Sequence, residues 1–275
     1  MADITAAAVR ELRDKTGQPM MACKRALQEA DGDQDAAVRY LREQGAILME
    51  KRGGRATDFG RFGLFADFDA TTGGIVELKC ESAPVTSNEE FVQLANDLAQ
   101  QFATGPGAET AEELLDQPSP SKEGMTLREQ KDDLFNRIRE VFNVGRMQKL
   151  DGTCGGYSHN SGTVSGVLLQ VEGGNASAAK DVCMHIAAMR PSCLKTEDLD
   201  PSEIETERAV LKAAALKEGK PENIVDKMVE GRLRNFYAER VLTEQAFVKG
   251  DKISVGKFAE ENSMVLKQYV HWELG

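Results

Sequence analysis

Phe62-Gly63-Leu64-Phe65-Ala66-Asp67-Phe68-Asp69-Ala70-Thr71-Thr72-Gly73-Gly74-Ile75-Val76-Glu77-Leu78-Lys79-Cys80 is where the hydrophobic period of the chain changes from about 3.6 to about 2. Phe62, Leu64, Ala66 and Phe68 alternate with other residues, and Ile75 to Cys80 alternates again beyond Thr71-Thr72-Gly73-Gly74. Two such runs around a Gly-Gly turn predict a β-hairpin. A hairpin set among helical patterns makes the fold class α+β.

Upstream, residues 3 to about 50 read as three short helices. Ile4, Val9 and Leu12 open the first, and Gly17 is placed for its C′ position. Met20, Cys23, Leu27 and Ala30 recur at helical spacing in the second. Asp33 is an N-cap for the third, with Ala37, Tyr40 and Leu41 facing inward and Gly45 closing it. So small a bundle hides little surface and suits docking. Lys51-Arg52-Gly53-Gly54-Arg55 then reads as a basic, glycine-rich linker.

Downstream, Glu89 to Phe102 is helical, with Phe91, Leu94, Ala95, Leu98 and Phe102 on one stripe. A short acidic helix sits between Gly105-Pro106-Gly107 and Pro118-Ser119-Pro120-Ser121, and another helix is predicted from about Thr126 to Phe142. Val164 to Val171 reads as a strand, Gly173-Gly174-Asn175 as a turn and Ala178 to Met189 as a helix. Val182 to Ala187 repeats the apolar register of Leu94 to Ala99, which suggests two related α+β halves. Pro201 to Glu218 and Pro221 to Arg240 form an αα-hairpin joined by Gly219-Lys220-Pro221, with Ile204, Leu211, Ala215, Ile224 and Met228 as its apolar stripe. Val265 to Leu274 reads as a last strand. The expected domains are residues 1–52, 53–142 and 143–275, the last with the helical hairpin at about 201–240.

Composition bounds the function. The 275 residues carry 34 Lys+Arg against 45 Asp+Glu, a net charge of −11, and are 41% hydrophobic. Length and hydrophobic content are those of a globular chain that needs neither disulfide nor metal to fold. The acidic balance disfavours a protein that tracks nucleic-acid phosphates or binds membranes through basic residues. No stretch approaches the roughly 18 to 20 apolar residues of a membrane span. Met1-Ala2-Asp3-Ile4 lacks the basic and apolar regions of a signal peptide, so a cytoplasmic protein is expected. Cys23, Cys80, Cys154, Cys183 and Cys193 include no C-x-x-C and read as buried free thiols.

Chemistry is hard to find in this chain. It contains no G-x-x-x-x-G-K-[ST], no convincing G-x-G-x-x-G and no G-x-S-x-G. His159, His185 and His271 have no metal-ligand spacing. Glu89-Glu90 and Glu112-Glu113 fall at helix starts, where they complement the dipole. The expectation is no catalytic residue, no metal and no cofactor. A docking module, a two-part body and a helical arm suit work done on another protein.

Leu12-Arg13-Asp14-Lys15-Thr16-Gly17-Gln18-Pro19-Met20-Met21-Ala22-Cys23-Lys24-Arg25-Ala26-Leu27 resembles the L-R-x-x-T-G-x-x-M-M-D-C-K-K-A-L signature of the elongation factor Ts family. Met184-His185-Ile186-Ala187-Ala188 with Pro191, Gly219-Lys220-Pro221 with Lys227 to Arg232, and Leu242 to Val248 are similar to further family motifs, in order along the chain. The resemblance implies a guanine-nucleotide exchange factor for elongation factor Tu. It also implies a ubiquitin-associated-like three-helix module followed by two α+β subdomains with a helical-hairpin insertion. In the family a strand E-[LV]-x-C precedes [QE]-T-D-F-V, whose Asp and Phe press on the GTPase near its Mg²⁺. Here Glu77-Leu78-Lys79-Cys80-Glu81 matches, but Ser82-Ala83-Pro84-Val85 follows. Truncating a buried aromatic anchor typically costs about 2 kcal/mol. Either the contact is weaker, or rigid Pro84 lets the backbone push.

The resemblance thus marks Ser82, Ala83, Pro84 and Val85 as the pressing loop, with Arg13, Met20, Met21, Lys24 and His185 as secondary contacts. Bland alternatives stand beside each. Met20 and Met21 suit a core as well as an adaptable interface. Arg13, Lys24 and Arg25 suit solvent, and His185 suits a satisfied core position. A holder of elongation factor Tu or of nascent chains that does not exchange nucleotide is the alternative function. Self-association through the core or the hairpin is left open.

Overall fold

The computed structural model describes residues 4–219, 221–250 and 253–274. Residue 3 and the Lys220 of the expected hairpin link lie outside the described residues. Two compact units divide the chain: one runs to Gly63 and takes in Val76–Met147, the other is Leu64–Ile75 with Gln148–Glu273.

Helix α1 (Ala6–Thr16) starts at Thr5, whose hydroxyl accepts from the Ala8 N–H, and ends at Gly17 in the left-handed region, φ 65°. Helix α2 (Met20–Glu29) buries Cys23, Ala26 and Leu27. These meet Val9, Leu12, Ala37 and Leu41 in one small core. Met20 lies outside this core with 50% of its surface exposed, the interface alternative of the two weighed for it. Helix α3 (Gln34–Arg52) starts at Asp33 as expected, but runs on through Gly45. Gly45 is buried, and a Cβ there would collide with the Asn136 amide. The glycine therefore serves a close approach between elements, and Lys51-Arg52 is the last helical turn rather than a linker.

Strands β1 (Phe59–Phe65) and β2 (Thr72–Cys80) form the predicted pair, with a shifted turn. The reversal falls at Asp67–Ala70, where the Ala70 N–H donates to the Asp67 carbonyl and the Asp69 N–H to its carboxylate. Gly73 and Gly74 lie in β2. A Cβ on Gly73 would sit 2.7 Å from Cys154 Sγ, so packing rather than turning requires it.

Helix α4 (Glu89–Thr104) is capped by Asn88 and buries all five expected apolar residues. The acidic helix is α5 (Ala111–Leu115). Helix α6 (Leu127–Ile138) begins in a Thr126–Glu129 capping box and stops at Arg139 in the left-handed region, φ 67°. The expected continuation to Phe142 is corrected: the chain turns at Arg139 and enters β3 (Phe142–Asp151), then β4 (Cys154–His159). β3 is largely exposed, so it carries no apolar alternation to betray it.

Strand β5 (Ser165–Gly173) leads through Gly173 and Gly174, both at positive φ, to α7 (Ala176–Met189). Helices α8 (Pro201–Lys217) and α9 (Glu222–Arg240) form the hairpin. Its buried stripe is Ala215, Val225, Val229 and Leu233. Ile224, expected inward, is exposed, and Met228 is only half-buried. At the neck the Ser192 N–H donates to the Arg240 carbonyl, 2.7 Å, and the Leu242 N–H to the Cys193 carbonyl, 2.9 Å. Helix α10 (Val255–Glu261) and strand β6 (Met264–Glu273) complete the described chain.

The sheets are ordered β1-β2-β3 and β4-β5-β6, and β5 pairs antiparallel with both its neighbours. In each sheet the central strand is followed by a long helix. That is the shared plan behind the apolar register common to α4 and α7. Among the described residues no helix is long and apolar enough to cross a membrane.

Candidate functional site

Ser82-Ala83-Pro84-Val85 lies where β2 leaves its sheet. Ala83–Ser87 is a single 3₁₀ turn with Pro84 in its first positions, where the missing N–H costs no hydrogen bond. Val85 is buried, whereas Ala83 and Pro84 are exposed. The turn is held at both ends. Glu140 accepts from the Ser82 N–H at 3.0 Å and from the Ser82 hydroxyl at 2.6 Å. Arg61 Nη1 donates to the Thr86 carbonyl at 2.8 Å, and the Thr86 hydroxyl donates to the Ala83 carbonyl at 2.7 Å. The Asn88 N–H closes onto the Val85 carbonyl at 2.9 Å.

A second carboxylate reinforces the base of the turn. Glu81 accepts from the Val141 N–H at 2.8 Å and pairs with Arg55 at 2.9 Å. Burial would raise its pKa, but Arg55, the Val141 N–H and the charge of Arg52 outweigh that and hold it below the usual value. The Cys80 thiol donates to the Ser82 carbonyl at 3.3 Å. Burial and then the Glu140 charge push that thiol up to about 12, so it stays protonated. Sequence reasoning missed Glu140 and Arg61. Glu140 lies 58 residues from its partner and inside the stretch expected to be helical, so no local signal marks it.

The secondary residues fall into two groups. Arg13, Met20, Met21 and Lys24 are all exposed, at the end of α1 and the first turns of α2. Met21 leaves 65% of its surface bare. Adjacent Gln18 is buried instead, and its amide oxygen accepts from Arg139 Nη2 at 2.9 Å. Two exposed thioethers flanked by cations are the side-chain types of an adaptable apolar patch with a charged rim.

His185 belongs elsewhere. It is fully buried in α7, with Nε2 2.9 Å from Gln245 Oε1 and Nδ1 accepting from the Val248 N–H at 3.3 Å. Those contacts select the neutral ring protonated at Nε2. This placement is the satisfied core position weighed for His185 from the sequence. Through these bonds His185 holds the 245–248 segment in place. Burial depresses its pKa, partly offset by Gln245. The unfolded chain then binds more protons near its ordinary pKa, so stability is full above about pH 6.5 and declines as pH falls through the lower folded value. Melting temperature is expected to drop between pH 7 and 5.5, and a His185→Gln variant to flatten that slope. An equally steep slope in the variant would assign the effect to other groups.

Among the described residues no group of three or more His, Cys, Asp or Glu is arranged to hold a metal ion. Cys23, Cys80, Cys154 and Cys183 are buried and free, and Cys193 is half-buried and free. Burial and then the Asp151 charge raise the Cys154 thiol to about 11. What the arrangement offers is a braced, blunt turn and, at the start of α2, two exposed methionines among cations.

The sequence profile of the family described as Elongation factor TS matches residues 84–275. Elongation factor Ts of Methylococcus capsulatus is 38% identical over 275 residues, covering 99% of this chain and 92% of the relative. Elongation factor Ts of Thioalkalivibrio sulfidiphilus is 36% identical over 276 residues, with the same coverages. That of Clostridium novyi is 37% identical over 286 residues, covering 99% of this chain and 93% of its own. Matches of that length, spanning the braced turn, the buried histidine and the hairpin alike, establish that the chain belongs to the elongation factor Ts family.

Proposed function

We propose that this chain binds the GDP form of elongation factor Tu and speeds GDP release, allowing GTP to load, with no covalent chemistry of its own. The observation that carries the reading is the turn at 82–87, braced at both ends while Ala83 and Pro84 stand exposed. Exchange then follows from linkage. A factor that holds nucleotide-free GTPase more tightly than the loaded form must weaken nucleotide binding by the same ratio. Pressing on the Mg²⁺ shell removes counter-charge from the phosphates and raises the dissociation rate. In this reading residues 1–52 dock through Arg13, Met20, Met21 and Lys24. Residues 53–142 carry the pressing turn, and residues 143–275 grip a distal part of the GTPase, with His185 fixing the segment beside it.

The test is release of fluorescent GDP from elongation factor Tu across a Mg²⁺ series. Substoichiometric amounts of this protein are expected to speed release, with the acceleration fading as Mg²⁺ is withdrawn. Tight binding without acceleration would leave a holder, the reading favoured by Ala83 and Pro84 where the family pattern has Asp and Phe. An Ala83→Asp, Pro84→Phe variant is expected to change the release rate severalfold. Unchanged release and unchanged binding would remove the turn from the mechanism.

A further inference from the structure

The two residues after α6 face two different tasks. Arg139 takes the left-handed conformation that ends the helix, which is uncommon for a residue with a side chain. Its Nη2 donates to Gln18 at 2.9 Å, inside the stretch between Gly17 and Met20, and its carbonyl accepts from Arg52 at the end of α3. The neighbouring Glu140 grips Ser82 with both carboxylate oxygens, at 3.0 Å and 2.6 Å. Consecutive residues thus hold the docking segment and the root of the exposed turn. Ala83 and Pro84 supply no long side chain, so a push at this point must be delivered by backbone whose position is fixed from below.

We propose that Arg139-Glu140 is a strut joining the docking segment to the turn, with Glu140 a positioning residue for nucleotide release. The inference rests on the exchange reading above. A carboxylate accepting two hydrogen bonds from one residue fixes both its backbone and its side chain, whereas a single bond would leave rotation free. Glutamine in its place can retain both contacts: its amide oxygen takes the Ser82 N–H, and its NH₂ donates to a hydroxyl that turns to accept. Alanine retains neither.

The experiment measures GDP release against factor concentration for the full chain, separating the maximal rate from the half-saturating concentration. Glu140→Ala is expected to lower the maximal rate about tenfold, the loss matching about 1.4 kcal/mol, while half-saturation stays within about twofold. Glu140→Gln is expected to recover most of the rate. Adding Ser82→Ala to Glu140→Ala is expected to cost little more, because both variants break the same grip. A maximal rate unchanged in Glu140→Ala would overturn the proposal, as would Glu140→Gln as damaging as alanine. If the unmodified protein itself does not speed release, the exchange reading fails. The strut is then decided by hydrogen exchange at the Ser82 and 85–87 amides, which rises in Glu140→Ala if Glu140 holds the turn and is unchanged if it does not.

Discussion

Replacing both Met20 and Met21 with alanine is expected to weaken binding to elongation factor Tu about a hundredfold while leaving the fold intact. Truncating a well-packed interface anchor typically costs more than about 1 kcal/mol, and a factor of ten corresponds to about 1.4 kcal/mol. Two adjacent anchors at about 1.4 kcal/mol each therefore account for about two decades. Both side chains are half bare or more, and the small core beneath them consists of Cys23, Ala26 and Leu27 with α1 and α3 residues. Surface truncations of that kind usually shift stability by no more than about 0.5 kcal/mol. Calorimetric titration against nucleotide-free elongation factor Tu, alongside a thermal melt, reads both quantities. An affinity within threefold of the unmodified protein would place the docking face elsewhere.

Pro84→Gly is expected to have the other large effect, on rate rather than affinity. Proline fixes φ near the value that the first turn of a 3₁₀ segment needs, and glycine restores backbone freedom. Ordering one freed residue costs about 1 to 2 kcal/mol. If the exposed turn pushes through its backbone, the maximal GDP-release rate falls about tenfold. Ala83→Ser, which changes little in shape or flexibility, should leave the rate within twofold. Stopped-flow release at saturating factor distinguishes the two. Equal rates for Pro84→Gly and the unmodified chain would show that rigidity at this position does not contribute.

Much of the fold is legible in the sequence because periodicity and capping are local. Asp33 stands at the start of α3, and Gly219 and Pro221 fall between two charged helices. The failures share a cause. Gly45 and Gly73 look like terminator and turn, yet each sits where another element comes too close for a side chain. Nothing within a few residues of either announces that neighbour. β3 escaped notice because an exposed strand need not alternate, and α6 was overextended because Val141 and Phe142 continue its apolar spacing by chance. At the candidate site the turn and the exposed Arg13, Met20, Met21 and Lys24 stand out in the sequence only through likeness to a family. The parts that brace the turn are long-range: Glu140 reaches back 58 residues and Arg61 forward 25. Hydrogen bonds of such separation leave no periodic trace in one sequence.

The neck of the helical hairpin has a consequence for the length of the arm. Arg240 and Leu242 bond back to Ser192 and Cys193, so the chain leaving the arm returns to where it entered. The arm also keeps its own apolar interior of Ala215, Val225, Val229 and Leu233. An appendage with adjoining ends and a private core can be lengthened, shortened or exchanged for a tight turn without re-routing the body. Its length is therefore uncoupled from the register of the residues that close the neck.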